Sequence, residues 1–212
     1  VEIIKNQNGD WQVNGVGLNG MVSPLKPLDL GNSGTGVRLL MGVVAGQDIT
    51  ATFTGDASLS TRPMARITDP LSTMGASIST RDGQLPVTIK GTSTPLAHQH
   101  RSEVASAQVK SAILLSGLNG RGTTQITEPS ASRDHTESML RYFGASVQQI
   151  FVDDGSHIIN LQGEAVLHGR QINVPRDPSS AAFAIVAALI TPDSDVMIPG
   201  ISINPLRTGL LD

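Results

Sequence analysis

The sequence contains no cysteine, which excludes disulfides, thiolate metal sites and a cysteine nucleophile together. Aromatic residues are scarce, with one Trp, one Tyr and four Phe, and the formal net charge is -3. Neither base stacking nor a basic face therefore supports nucleic-acid binding. No apolar run reaches membrane-spanning length, and the longest, residues 181–190, reads as a buried helix. What is present, 39% hydrophobic and 16% charged residues in 212, predicts a soluble globular chain able to bury a core as one large or two small domains. No signal sequence opens it, so a cytoplasmic location is expected. The chain starts VEIIKNQNGDWQVNG without an initiator Met and stops at LRTGLLD within a helical pattern, which reads as a protein truncated at both ends.

An internal repeat organises the rest. Met74-Gly75-Ala76 recurs in kind as Phe143-Gly144-Ala145, and each is followed by two strand-like runs around a polar turn. Arg62, Arg133 and Arg207 each stand at a helix opening, roughly seventy residues apart. Upstream of each lies a small-residue helix: TGVRLLMGVVAG, ASAQVKSAILLSG and SSAAFAIVAALI. The unit reads as helix, strand, helix and hairpin. Ser/Thr or Asp at the start and Gly at the end support helices over 64–74 and 134–143. Residues 1–17 are the hairpin of an incomplete first unit, 18–101 a second unit, 102–173 a third, and 174–212 the start of a last unit, truncated before its hairpin. Residues 92–101, rich in Pro, His and Ser, read as a connection or edge segment. Such long mixed units are expected to close around a pseudo-threefold axis, with the small-residue helices inside and the sheets as a sheath.

Candidate chemistry sits at helix starts. In Leu30 to Gly42, LGNSGTGVRLLMG, Ser33, Gly34, Thr35 and Gly36 allow close backbone approach ahead of unpaired helix N–H groups, a combination that attracts anions. Ser106 and Gln108 interrupt an apolar helix start, as ligands for a phosphate or sugar hydroxyl or as a cap and a satisfied amide. Arg62 and Arg133 oppose the helix dipole, so each either projects into solvent or holds an anion. Their matched positions beside hydroxyl-rich helix starts favour a site for more than one phosphate or carboxylate. His98 and His100 point to opposite faces of a strand with no acidic partner near, so no metal is expected. Asp134 and Asp177 read as helix-start carboxylates, His135 as a surface residue, and Lys110 faces away from Gln108, about 200° around the helix.

LGNSGTGVRLLMG, GDASLSTRPM, ASAQVKSAILLSGL, EPSASRDHTESML and DPSSAAFAIVAALI, in this order and spacing, resemble the EPSP synthase family, the 3-phosphoshikimate 1-carboxyvinyltransferases, over essentially the whole chain. The SAQVKSA and SRDHTE strings are most similar to its class II members. The resemblance implies a mixed α/β fold of repeated βαβαββ units about a pseudo-threefold axis, an inside-out α/β barrel. Two such domains close on substrate, and residues 1–173 would be most of one, with 174–212 crossing to the other. It also implies transfer of the enolpyruvyl group of phosphoenolpyruvate to the 5-hydroxyl of shikimate 3-phosphate, on the route to aromatic amino acids, without metal or cofactor.

By the same resemblance, the Gly34 backbone and the Arg62 and Gln108 side chains contact phosphoenolpyruvate. Ser106, Ala107, Gln108 and Arg133 line the shikimate 3-phosphate site. Glyphosate, which occupies the phosphoenolpyruvate site in this family, would compete there. Glyphosate-resistant class II members carry Ala at the position of Gly34, and this sequence departs from them. The family's Lys-Ser-Arg motif and the proton-transferring residues of the second domain have no counterpart here, so the catalytic residues are expected outside these 212 residues. The alternatives are a non-catalytic module for phosphorylated sugars or acids and a relative of UDP-N-acetylglucosamine enolpyruvyl transferase, most of which use a loop Cys that this chain lacks.

Overall fold

The structure, a computed structural model, describes residues 1–17 and 19–209. Leu18 and the last residues of the closing LRTGLLD string lie outside the described residues. The chain opens with a hairpin of β1 (Glu2–Lys5) and β2 (Trp11–Asn14), turned at residues 6–10. Both strands are exposed along their whole length. Next come β3 (Leu28–Asp29), α1 (Gly34–Ala45), β4 (Thr50–Thr54), a short α2 (Ala57–Ser60), α3 (Ala65–Thr73), β5 (Ser77–Arg81) and β6 (Gln84–Lys90). The path repeats as β7 (Gln99–Arg101), α4 (Ala107–Gly117), β8 (Thr123–Glu128), α5 (His135–Phe143), β9 (Val147–Phe151) and β10 (His157–Gln162), and α6 (Pro178–Ile190) closes the order.

The two copies build sheets of matching topology, β3-β4-β6-β5 and β7-β8-β10-β9. In each, the first strand pairs in parallel and the remaining pairs are antiparallel. The strands form because apolar or β-branched residues alternate with polar ones: in β8 (TTQITE) Thr124, Ile126 and Glu128 point inward. Gly144, at φ 108, ends α5 in the left-handed conformation that glycine tolerates without penalty. The repeated mixed α/β unit is thus present twice, and both sheets are open, with no closed barrel among the described residues.

α1 and α4 lie side by side and in register between the two sheets. A Cβ on Gly42 would stand 2.3 Å from the Ala112 carbonyl oxygen, and one on Gly46 would stand 2.7 Å from that of Ser116. Asn119 donates to the Gly46 carbonyl at 2.6 Å. Small residues at these positions are what let the two backbones touch. Val37, Met41 and Val44 of α1 and Val109, Ile113 and Leu114 of α4 share one core with Phe53, Leu71, Ile89, Ile126 and Leu161.

Several expectations are corrected. The run 181–190 forms a helix, but only Ala181 is buried, and Phe183 is 83% exposed, because no described element covers the outer face of α6. The segment that carries α6, residues 174–209, makes no hydrogen bond to 1–17 among the described residues. It meets the start of α5 instead, where Asn204 Nδ2 donates to Asp134 Oδ1 at 2.7 Å. Neither Met64 nor Asp134 caps its helix through a side chain, since the Asp134 carboxylate is taken by Asn204. Arg207 sits in a turn rather than opening a helix among the described residues. Residues 99–101 do form an edge strand, β7.

Candidate anion-binding site

Because α1 and α4 run parallel, their N-terminal ends meet. Each first turn leaves backbone N–H groups pointing outward. Ser33 caps α1 by accepting from Gly36 N at 3.0 Å, and Ser106 caps α4 by accepting from Val109 N at 3.5 Å. The two starts are joined directly: Gln108 Nε2 donates to Thr35 Oγ1 at 2.7 Å, and its Oε1 accepts from Arg38 Nη1. Residues about seventy positions apart therefore face one opening.

On the α1 side, Arg62 Nη2 donates to Asn32 Oδ1 at 2.6 Å and to Ser58 Oγ at 3.4 Å, which fixes the guanidinium over the helix start. A Cβ on Gly34 would stand 2.7 Å from Arg62 Nη1, so glycine leaves the space that the guanidinium fills. Burial, followed by the charges of Arg62 and Arg66, pushes the Arg38 guanidinium below its ordinary value. Mutual repulsion among like charges is a cost that an anion would relieve. Asp56, the nearby acid, is committed elsewhere: it accepts from Leu59 N at 2.7 Å and from Asn32 Nδ2 at 2.8 Å, and these bonds hold its carboxyl below the usual range.

On the α4 side, a cavity of about 460 Å³ is lined by Ser106, Ala107, Gln108, Ser132, Arg133 and Leu206, with Ala105 and Ala131. Arg133 is half-buried there, and among the described residues its guanidinium has no hydrogen-bond or ion-pair partner. Below the cavity lies a fully buried ionic cluster in which Lys110 Nζ meets Glu128 Oε2 at 3.0 Å and Glu137 Oε1 at 2.8 Å. His157 lies beside it, 4.0 Å from Glu128 Oε2, with both ring nitrogens unpartnered. Burial, reinforced by the Lys110 charge, pushes His157 below its ordinary value.

The chain matches the family model for EPSP synthase (3-phosphoshikimate 1-carboxyvinyltransferase) over residues 1–212. The chain belongs to the EPSP synthase family. It is 53% identical over 213 residues to the 3-phosphoshikimate 1-carboxyvinyltransferase of Granulibacter bethesdensis, covering 100% of this chain and 47% of that protein. To the one from Paracoccus denitrificans it is 54% identical over 203 residues, covering 95% and 46%. Among solved structures, an Acinetobacter baumannii EPSP synthase superposes with a TM-score of 0.86 at 46% identity, over 99% of this chain and 46% of that one. The chain spans about half the length of the curated relatives it matches.

Within this family framework, the structure brings Ser106, Ala107, Gln108 and Arg133 into one cavity, and Gly34 and Arg62 beside one another at the neighbouring helix start, with Gln108 bridging the two groups. Arg207, the third repeat-matched arginine, behaves differently, because Asp177 Oδ1 at 3.0 Å and Ser179 Oγ at 2.6 Å already hold it. Asp177 caps α6 as expected, and the Ser180 hydroxyl and Ser179 amide hold its carboxyl below the usual range. His135 is exposed, and no group of metal-ligating residues occurs among the described residues. The Asn32–Arg38 loop was legible as a site, whereas sequence reasoning missed Ser132 as part of it and the Lys110–Glu128 pair beneath it. The signal for Arg38 and Lys110 was a charge interrupting each apolar helix, but only packing shows which way such a residue points.

Proposed function

We propose that this chain supplies one wall of a 3-phosphoshikimate 1-carboxyvinyltransferase site, with shikimate 3-phosphate in the Ser106–Ala107–Gln108–Arg133 cavity and phosphoenolpyruvate at Gly34, Arg62 and Gln108. The observation that carries this reading is the Gln108 bridge: one amide side chain at the start of α4 bonds Thr35 and Arg38 of α1, so two helix N-termini face one opening, as a pair of anionic reactants requires. Arg133 offers a fork that has no partner among the described residues to a phosphate, the Ser106 hydroxyl and the α4 amides take further phosphate oxygens, and Arg62 is pre-aimed by Asn32 and Ser58. Residues 1–173 would form most of one globular domain in which 1–17 belong to a first repeat unit, 18–101 to a second and 102–173 to a third. Residues 174–212 would cross to another domain. The enzyme would act in the cytoplasm, in aromatic amino acid biosynthesis, with glyphosate as a competitor of phosphoenolpyruvate. No described helix is long and apolar enough to cross a membrane.

Transfer needs a base within reach of the attacking hydroxyl. The acids near the cavity are already engaged: Glu128 with Lys110, Asp134 with Asn204, and Asp56 with Leu59 and Asn32. The chain by itself should therefore bind without turning over, and steady phosphate release by it alone would refute this. Calorimetric titration should show shikimate 3-phosphate binding ahead of glucose 6-phosphate and UDP-N-acetylglucosamine, with Arg133→Ala weakening it roughly tenfold or more. Equal binding of all three would instead indicate a general anion module.

Gly34→Ala provides a second test. The added methyl meets the flexible end of Arg62 rather than backbone, so the fold should persist while the guanidinium leaves Asn32. Phosphoenolpyruvate binding in the presence of shikimate 3-phosphate should weaken roughly fivefold or more. Thermal stability should stay within about 2 °C.

A further inference from the structure

Three buried charges lie beneath the cavity, and they do not touch it equally. The Glu128 carboxylate accepts the Ser106 backbone N–H at 2.9 Å, the Ser132 hydroxyl at 2.9 and 2.8 Å, and Lys110 Nζ at 3.0 Å. Ser106 starts α4, and Ser132 belongs to the loop that carries Arg133, so one carboxylate joins both lips of the cavity. Lys110 completes the clamp by donating to the Ser132 carbonyl at 3.2 Å. Glu137 also neutralises Lys110 at 2.8 Å, but its other contact is Gln149, at 3.4 Å, away from the cavity. All three charged side chains are fully buried.

A buried ion cluster is a poor source of stability, because desolvation consumes most of the attraction and apolar residues of similar volume often do as well. What the carboxylate does that an apolar side chain cannot is accept from two donors on separate elements. Those donors are a backbone amide on α4 and a hydroxyl on the β8–α5 loop, whose spacing sets the width of the cavity between Ser106 and Arg133. Reading the cavity as the shikimate 3-phosphate site, we propose that Glu128, held in place by Lys110, is a positioning residue that fixes the separation of the α4 N-terminus from Arg133 and so the fit of the phosphorylated ligand. A Gln in its place has one acceptor oxygen: at the Oε1 position it keeps the Ser106 and Ser132 bonds but turns its NH2 on the Lys110 ammonium, and reversed it turns its NH2 on the Ser106 N–H, so either the Lys110 anchor or the α4 lip is lost.

Glu128→Gln and Glu137→Gln form the test, because each removes one carboxylate from Lys110 and only Glu128 is bonded to residues that line the cavity. Shikimate 3-phosphate affinity, measured by calorimetry on the full chain, should fall at least tenfold in E128Q and stay within twofold of the parent in E137Q. Hydrogen exchange followed by NMR should show the Ser106 amide exchanging at least tenfold faster in E128Q, with Ile113 and Leu114 in the middle of α4 unchanged. A solely structural role predicts that both variants lose affinity and protection alike, and that outcome, or E128Q binding within twofold of the parent, overturns the proposal. If the parent chain does not bind shikimate 3-phosphate, the functional reading fails, while the positioning claim is still decided by Ser106 exchange in the two variants. Should E128Q fail to fold, the charge-free K110M/E128M/E137Q replaces it, in which no acceptor reaches either serine donor, with the same tenfold loss expected and binding within twofold of the parent again refuting the idea.

Discussion

Lys110→Ala should destabilise the fold by about 3–5 kcal/mol, the range for breaking a buried ion pair by removing one partner. The lysine is fully buried and is the shared cation of Glu128 and Glu137, at 3.0 and 2.8 Å. Its removal leaves two carboxylates in a water-free interior with nothing to neutralise them, and it also opens a void inside α4. Urea unfolding should show the loss as a lower midpoint with an unchanged slope, and thermal unfolding should show it as well. Arg121 provides the contrast. Its pair with Glu164 at 3.3 Å is 84% and 62% exposed, so water screens the attraction, and Arg121→Ala should change stability by less than about 0.5 kcal/mol. Equal effects from the two substitutions would mean that the cluster is hydrated rather than sealed.

Gly42→Ala should also destabilise the fold, although alanine is the better helix former by about 1 kcal/mol. The added Cβ would stand 2.3 Å from the oxygen and 2.6 Å from the Cα of Ala112. These are backbone atoms of a helix and cannot rotate aside as the tip of Arg62 does near Gly34. α1 and α4 must separate, at a cost of about 1–3 kcal/mol for overpacking, or a loss of several degrees in Tm. Separation also draws Thr35 and Arg38 away from Gln108. Anion binding should therefore weaken together with stability, whereas Gly34→Ala weakens binding alone. A Tm within about 1 °C of the parent would show that the helices have more slack than their spacing implies.

Local pattern was sufficient for much of the fold. The polar-apolar alternation of runs such as TTQITE and the Gly at 144 each act through neighbours in sequence. α3 and α5 accordingly fall within a residue of the expected 64–74 and 134–143, and two strands follow each. The short α2 escaped because four residues carry no period. α6 illustrates the opposite limit: its apolar composition predicted burial, but burial depends on what lies across from a helix, and no described element covers its outer face.

For the site, the same division holds. The residue types and their spacing by themselves determined that hydroxyls and glycines begin the small-residue helices, that Arg62 and Arg133 hold matching places in the repeat, and which family the motifs resemble. Only the tertiary structure decided that α1 and α4 pack in parallel, so that Thr35 meets Gln108 and Arg62 fills the gap above Gly34. It also decided that Arg207 is already neutralised by Asp177, and that Glu128 reaches both Ser106 and Ser132. The reason is the range of the forces involved. Propensity and capping act over a few residues, whereas the electrostatics of the cavity depend on distances of about 3–4 Å between groups that the chain itself keeps far apart.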